Sequence, residues 1–107
     1  MAQPSDFNEN FRHAYPNVWK AFSQLSEQCH EQGPLDEKSR RLVKVAIAVA
    51  SGLEGATHSA VRHARDANIS NEELEHVALL AITTIGYPSA MRALSWIRDG
   101  AQTSPSR

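Results

Sequence analysis

Glu54 and His58 stand four residues apart in a stretch, Glu54 to Ala67, with the composition of a helix. At that spacing on a helix two side chains lie one above the other and can meet. A carboxylate that orients an imidazole is a common acid–base unit, and histidine exchanges a proton near neutral pH. Glu54 also falls in the first turn of the predicted helix, where the helix dipole favours its negative charge. The pair is therefore the candidate catalytic site, a proton-transferring couple at the rim of a small-molecule pocket. The run Glu54-x-x-x-His58-x-x-x-Arg62 also fits a ladder of charges on a solvated helix face. The residues alone leave both readings open.

Other groupings offer less chemistry. The chain has one cysteine, Cys29, so it has no CxxC motif and no cysteine-based zinc cluster. On its helix Cys29 reads as a small apolar filler; its neighbour His30 does not face it, because adjacent helical residues point apart. Glu72 and His76 repeat the four-residue spacing and read as a surface pair. Glu54 and His58 could ligate a metal, but two ligands are not a site, and nothing in the sequence brings His13, His30 or His63 to complete one. No metal and no cofactor are expected. Trp19 and Trp96 fit core or interface packing better than a cofactor box.

Six helical segments must position these residues. Pro4 and Ser5 open the first, which carries Phe7 and Phe11. Tyr15-Pro16 interrupts it, because a residue before proline avoids the α region. Pro16 starts a second helix with an apolar stripe of Val18, Trp19, Phe22 and Leu25, ended by Gly33-Pro34. Asp36 is the predicted N-cap of a third helix to about Ser51. Its second half, Val45 to Ala50, is apolar on every side, which predicts burial all round, against another subunit as well as its own chain. Gly52 separates it from the fourth helix, and Asn68 is a suitable left-handed residue to end that one.

On the fourth helix, about 100° per residue puts Ala56, Thr57, Ala60, Val61, Ala64 and Ala67 on one small-residue face. Glu54, His58 and Arg65 line one border, with Arg62 further out and His63 on the other border. Ser70 and Glu73 form an S-x-x-E capping box that starts a fifth helix. Leu74, Val77, Ala78, Ala81, Ile82 and Ile85 give it an apolar face, which Leu79 and Leu80 widen towards full burial. Its end, Ile82-Thr83-Thr84-Ile85, favours strand only weakly. After Gly86-Tyr87-Pro88 a last helix carries Met91, Leu94, Trp96 and Ile97 to about Arg98, with Gly100 beyond its end.

The fold class is thus all-α, a bundle of about six helices. A chain of 107 residues fits one domain, assigned to 1–102, with a flexible tail at 103–107. A formal charge of -1 and a pI near 6.5 lack the basic footprint of a nucleic-acid binder. No apolar run spans a bilayer, and the polar Met1 to Asn10 is no signal peptide, so a cytoplasmic protein is expected.

The second half of the chain resembles the carboxymuconolactone decarboxylase family, which shares its fold with alkylhydroperoxidase-D-like proteins. The resemblance runs from about Pro34 to Ile97. It is carried by the charged entry Leu35-Asp36-Glu37-Lys38-Ser39-Arg40 before the apolar Leu42 to Ala50, and by the helix Glu54-Gly55-Ala56-Thr57-His58-Ser59-Ala60-Val61-Arg62-His63-Ala64. The capped Ile69 to Glu75 and the closing Gly86-Tyr87-Pro88-Ser89-Ala90 with Ala93-Leu94 complete it. The resemblance implies an active site on the fourth helix and a homo-oligomer, trimer or hexamer.

Within that resemblance, the thiol-redox branch uses a glutamate, a CxxC pair and a following histidine. Lining up the helices puts Arg41 at the glutamate position, Leu53 and Ala56 at the cysteines, and Ala60 at the histidine. The segment looks closer to a cysteine-free branch reading E-G-A-x-[HR]-S-H-x-R, which Glu54, Gly55, Ala56, His58, Ser59 and Arg62 match. Ala60 occupies the position of that branch's second histidine. Three functions follow as expectations: cysteine-independent acid–base chemistry on a small organic acid or lactone, a thiol peroxidase (disfavoured without the cysteine pair), and a non-catalytic oligomer that binds a ligand or a protein.

Overall fold

The computed structural model describes residues 4–103. Six helices are present in this span, with no strand among the described residues: α1 (Pro4–Ala14), α2 (Pro16–Glu31), α3 (Glu37–Ser51), α4 (Glu54–Asp66), α5 (Asn71–Ile85) and α6 (Tyr87–Thr103). They fall into two compact units, the first ending at Leu35 and the second starting at Asp36. Residues 104–107 of the expected tail lie outside the described residues, and Thr103 closes α6.

The first unit is a helical pair with a break at Tyr15-Pro16. Its aromatic side chains form a run, Phe11 to Tyr15 at 5.2 Å, Phe11 to Trp19 at 6.4 Å and Trp19 to Phe22 at 6.0 Å between ring centres. The apolar stripe is largely exposed: Phe7, Val18, Phe22 and Leu25 are open, and α2 has no buried residue. Two helices alone offer each apolar stripe one neighbour, too little surface to bury it. Cys29, expected as an apolar filler, is likewise exposed.

The second unit closes four helices into a ring: α3 packs on α4 and α5, and α6 packs on the same two. The helix starts follow from local hydrogen bonding. Asp36 caps α3 by accepting from the Ser39 N–H at 2.8 Å. Ser70 accepts from the Glu73 N–H at 3.1 Å while the Glu73 carboxylate accepts from the Ser70 N–H at 3.0 Å, a complete capping box. Lys38 pairs with the same Glu73, and these contacts hold its carboxyl below the ordinary range. Asn68 takes a positive φ of 66° at the α4–α5 turn.

The core of this ring is Val45 and Val49 from α3, Val61 and Ala64 from α4, Ile69 from the turn, Leu74 and Ala78 from α5, and Ala93 and Ile97 from α6. The expected burial of Leu79 and Leu80 needs correction; the α3 segment, expected to be covered by its own chain and by another subunit, is covered by its own chain on one side. Only Val45, Ala48 and Val49 of the apolar α3 segment are buried, whereas Ile47 is 60% exposed and Ala46 and Ala50 are also exposed. Leu79 and Leu80 are exposed too. Each helix meets its neighbours on one side only, so an all-round apolar segment keeps an uncovered face within one chain.

The last helix also differs from expectation, because it continues past Arg98 to Thr103 and contains Gly100. A Cβ at Gly100 would lie 2.8 Å from an Arg65 guanidinium nitrogen. Arg65 donates there to the Ile97 carbonyl at 2.9 Å and to Asn71 Oδ1 at 2.9 Å, tying α4 to α6 and to the start of α5. Gly100 leaves room for this side chain; it does not stop the helix.

Removing the α5 cap tests the local argument. Ser70→Ala should lower unfolding stability in urea by about 1 kcal/mol. An unchanged midpoint would mean that the capping box adds nothing.

Candidate functional site

The turn between α3 and α4 aims the site. Ser51 Oγ donates to the Ala48 carbonyl at 2.6 Å and accepts from the Leu53 N–H at 3.3 Å. Between them Gly52 takes a left-handed φ of 71°, its N–H bonded to the Val49 carbonyl at 3.1 Å. On α4, Thr57, Val61 and Ala64 face the core. The buried Thr57 hydroxyl is satisfied within its own helix by donating to the Leu53 carbonyl at 2.9 Å. These inward residues set the rotation of the helix, and Glu54 and His58 fall on its border.

There the pair meets, with His58 Nε2 at 3.2 Å from Glu54 Oε2. The imidazole is 28% exposed and the carboxylate 61%. The ring is partly shielded and its partner is open to water, so the pair lies on a rim and not in a closed chamber.

Across from it, α6 supplies Trp96, whose ring centre is 6.4 Å from that of His58 at an angle of 49°. The Arg92 guanidinium lies over the other part of this platform, 5.4 Å from the Trp96 ring centre. It also abuts the α3–α4 turn, where a Cβ at Gly52 would sit 3.1 Å from a guanidinium nitrogen. Neither Arg92 nor the role of Trp96 was legible as part of a site. The one sequence signal is their spacing of four on α6, which puts a cation over an indole.

The remaining candidates separate. Ala60 is half-buried against the core, so a larger side chain there would meet packed residues. Arg62 is exposed. His63 Nδ1 lies 2.8 Å from the Ser59 carbonyl. Arg65, expected on the Glu54–His58 border, serves the structural bonds described above. Glu72 and His76 are both exposed, with no bond between them among the described residues. Arg41 donates from Nε to Glu37 at 2.9 Å. Among the described residues, no three of His, Cys, Asp and Glu gather closely enough to hold a metal.

A groove of about 580 Å³ lies between α3 and α5, lined by Leu42, Val43, Val49, Val77, Leu80 and Ile85, with Glu73 and His76 among its polar members. Glu54 and His58 do not line it. Trp96 and Arg92 are the neighbours of the pair on α6, and the α3–α5 groove is lined by other residues. His76 was the signal for that groove, a lone imidazole among apolar residues of α5.

A ring of four short helices around a small-residue core, with a carboxylate–imidazole pair on its second helix and no thiol pair, defines the class: an all-α helical-bundle protein without a CxxC motif. Comparison makes this specific. The model of the carboxymuconolactone decarboxylase family matches residues 16–99, and the chain belongs to this family. It is similar in structure to an apo carboxymuconolactone decarboxylase family protein from Legionella pneumophila, with a TM-score of 0.78 and 26% identity, over 94% of this chain and 90% of that one. No curated protein matches the sequence. Among the described residues, no helix is long and apolar enough to cross a membrane.

Gly52→Ala would place a side chain in a left-handed turn and against Arg92. A loss of about 1–2 kcal/mol in unfolding stability is expected from the backbone conformation alone. An undiminished melting temperature would show that the turn adopts another conformation.

Proposed function

We propose that the protein is a cysteine-independent acid–base enzyme acting on a small organic acid or lactone, with Glu54 and His58 as its catalytic pair. The observation that carries this reading is the 3.2 Å contact between the two side chains on the rim of α4. With Glu54 ionised, the shared Nε2 carries its proton and donates it to the carboxylate, which leaves Nδ1 free to exchange a proton with a substrate. In a decarboxylation the C–CO2 bond breaks and leaves its electron pair on carbon. Imidazolium His58 delivers the proton that carbon needs, and water restores it.

Thiol peroxidase chemistry is the weaker reading. It needs an attacking and a resolving thiol. Leu53 and Ala56 stand at those positions, and Cys29 lies on α2, in the other unit. A non-catalytic ligand-binding protein is the second reading, favoured by the α3–α5 groove, whose lining is mostly apolar.

We also infer a homo-oligomer. The exposed Val43, Ile47, Leu79 and Leu80 lie on α3 and α5. Neighbouring exposed apolar side chains of this size are what a subunit contact buries.

Two measurements test these statements. His58→Ala and Glu54→Gln should each cut carbon dioxide release from carboxymuconolactone by about 100-fold or more, with unfolding midpoints close to that of the unmodified protein. Unmodified rates in both variants would remove the pair from the mechanism. Ile47→Asp with Leu80→Asp should convert the oligomer to monomer in light scattering after gel filtration. A monomeric unmodified protein would refute the assembly.

A further inference from the structure

Arg92 stands apart from the other arginines whose partners are defined. Arg12 pairs with Glu9, Arg40 and Arg41 with Glu37, Arg98 with Glu75, and Arg65 bonds Asn71 and the Ile97 carbonyl. The Arg92 guanidinium has no carboxylate partner among the described residues. It is held instead by the face of Trp96 and by the Gly52 turn. Stacking uses the flat face of a guanidinium and leaves its in-plane N–H donors unspent.

The same indole has His58 as its other neighbour. The Trp96 ring therefore neighbours both a member of the acid–base pair and a cation that has no carboxylate partner among the described residues. All four side chains belong to α4 and α6, whose packing fixes their separation.

We propose that Arg92 and Trp96 form a carboxylate-binding subsite, with Arg92 as the anchor of a ligand carboxylate and Trp96 as the wall against a flat ligand body. The subsite rests on the acid–base reading of Glu54 and His58, and it narrows the ligand to one that carries a carboxylate beside a flat body. Arg92 offers paired N–H donors in the fork that matches one carboxylate. Glu54 is engaged with His58 and repels a second carboxylate, so the anchored group is seated at Arg92. A ligand held there presents its remaining atoms to His58. An uncharged amide of the same shape offers only a neutral acceptor to the guanidinium and also brings N–H donors that meet no acceptor there.

Benzoate and benzamide are the probes, titrated into the full chain and followed by NMR at the indole N–H of Trp96 and the His58 ring, with Trp19 as internal control. Benzoate should shift Trp96 and His58 but not Trp19, and benzamide should bind at least tenfold more weakly. Arg92→Gln should lower benzoate affinity at least tenfold and Arg92→Lys by less, with unchanged unfolding midpoints. His58→Ala should keep benzoate binding, which separates this subsite from catalysis. Equal binding of benzoate and benzamide, undiminished affinity in Arg92→Gln, or no benzoate shift at Trp96 would overturn the proposal. Those results would leave the acid–base reading to its own turnover test.

Discussion

Four helices can close around one core only if their backbones come close, and here that demand is met by small side chains. Among the described residues Val45, Ala48, Val49, Val61, Ala64, Ala78, Ala90 and Ala93 are buried, the larger Ile69, Leu74 and Ile97 are buried with them, and Leu42, Ile85 and Leu94 pack against this core half-buried. Close approach has a cost in area. Each alanine removes little surface from water, and hydrophobic stabilisation scales with that area at about 25 cal/mol per Å². The interior of this unit is therefore modest. The bulky residues that could enlarge it, Ile47, Leu79 and Leu80, are on the outside of the ring. Their place follows from the geometry: a core of alanine and valine has no room for them, and a helix that contacts neighbours on one side cannot hide its other side.

The same constraint positions the chemistry. With Thr57, Val61 and Ala64 directed inward, α4 has little freedom to rotate about its axis. A residue one position before or after an inward one is turned by about 100°. His58 follows Thr57 and so comes to the border beside α6, where Trp96 meets it. Glu54 is one turn earlier on that border and reaches the ring. Had α4 carried large residues on its inner face, α6 would stand further off and the indole would lose His58. The stripe of small residues is thus a spacing device for the site as well as a packing surface.

What could be read from the sequence was what is decided within four residues. Asp36 and Ser39, Ser70 and Glu73, and Asn68 at its turn each satisfy backbone groups locally, and each stands as expected. The Glu54–His58 contact is of the same kind, an i,i+4 relation on one helix. Features that need a second helix were not legible. Gly100 looked like a helix stop because the reason for it, Arg65, lies 35 positions earlier. Arg92 carried no signal until α6 was set against the α3–α4 turn. The aromatic stripe of α1 and α2 had the period of a packed face, but periodicity reports which side of a helix is apolar and not whether anything covers it.

The first turn of α4 is a place where negative charge is favoured, because unpaired backbone N–H groups and the helix dipole point there. A thiol at that end of a helix gains acidity and becomes a nucleophile. In this chain no cysteine lies near that turn, and Glu54 stands in it. The electrostatic advantage of the helix end therefore acts on a carboxylate, which has no redox chemistry. Its use is to hold an imidazole. Arg41 is engaged with Glu37, and Ala60 is packed against the core. The scaffold keeps the charge preference of its helix end and changes the group that experiences it, which is why membership of the family and the kind of chemistry are separate questions in this chain.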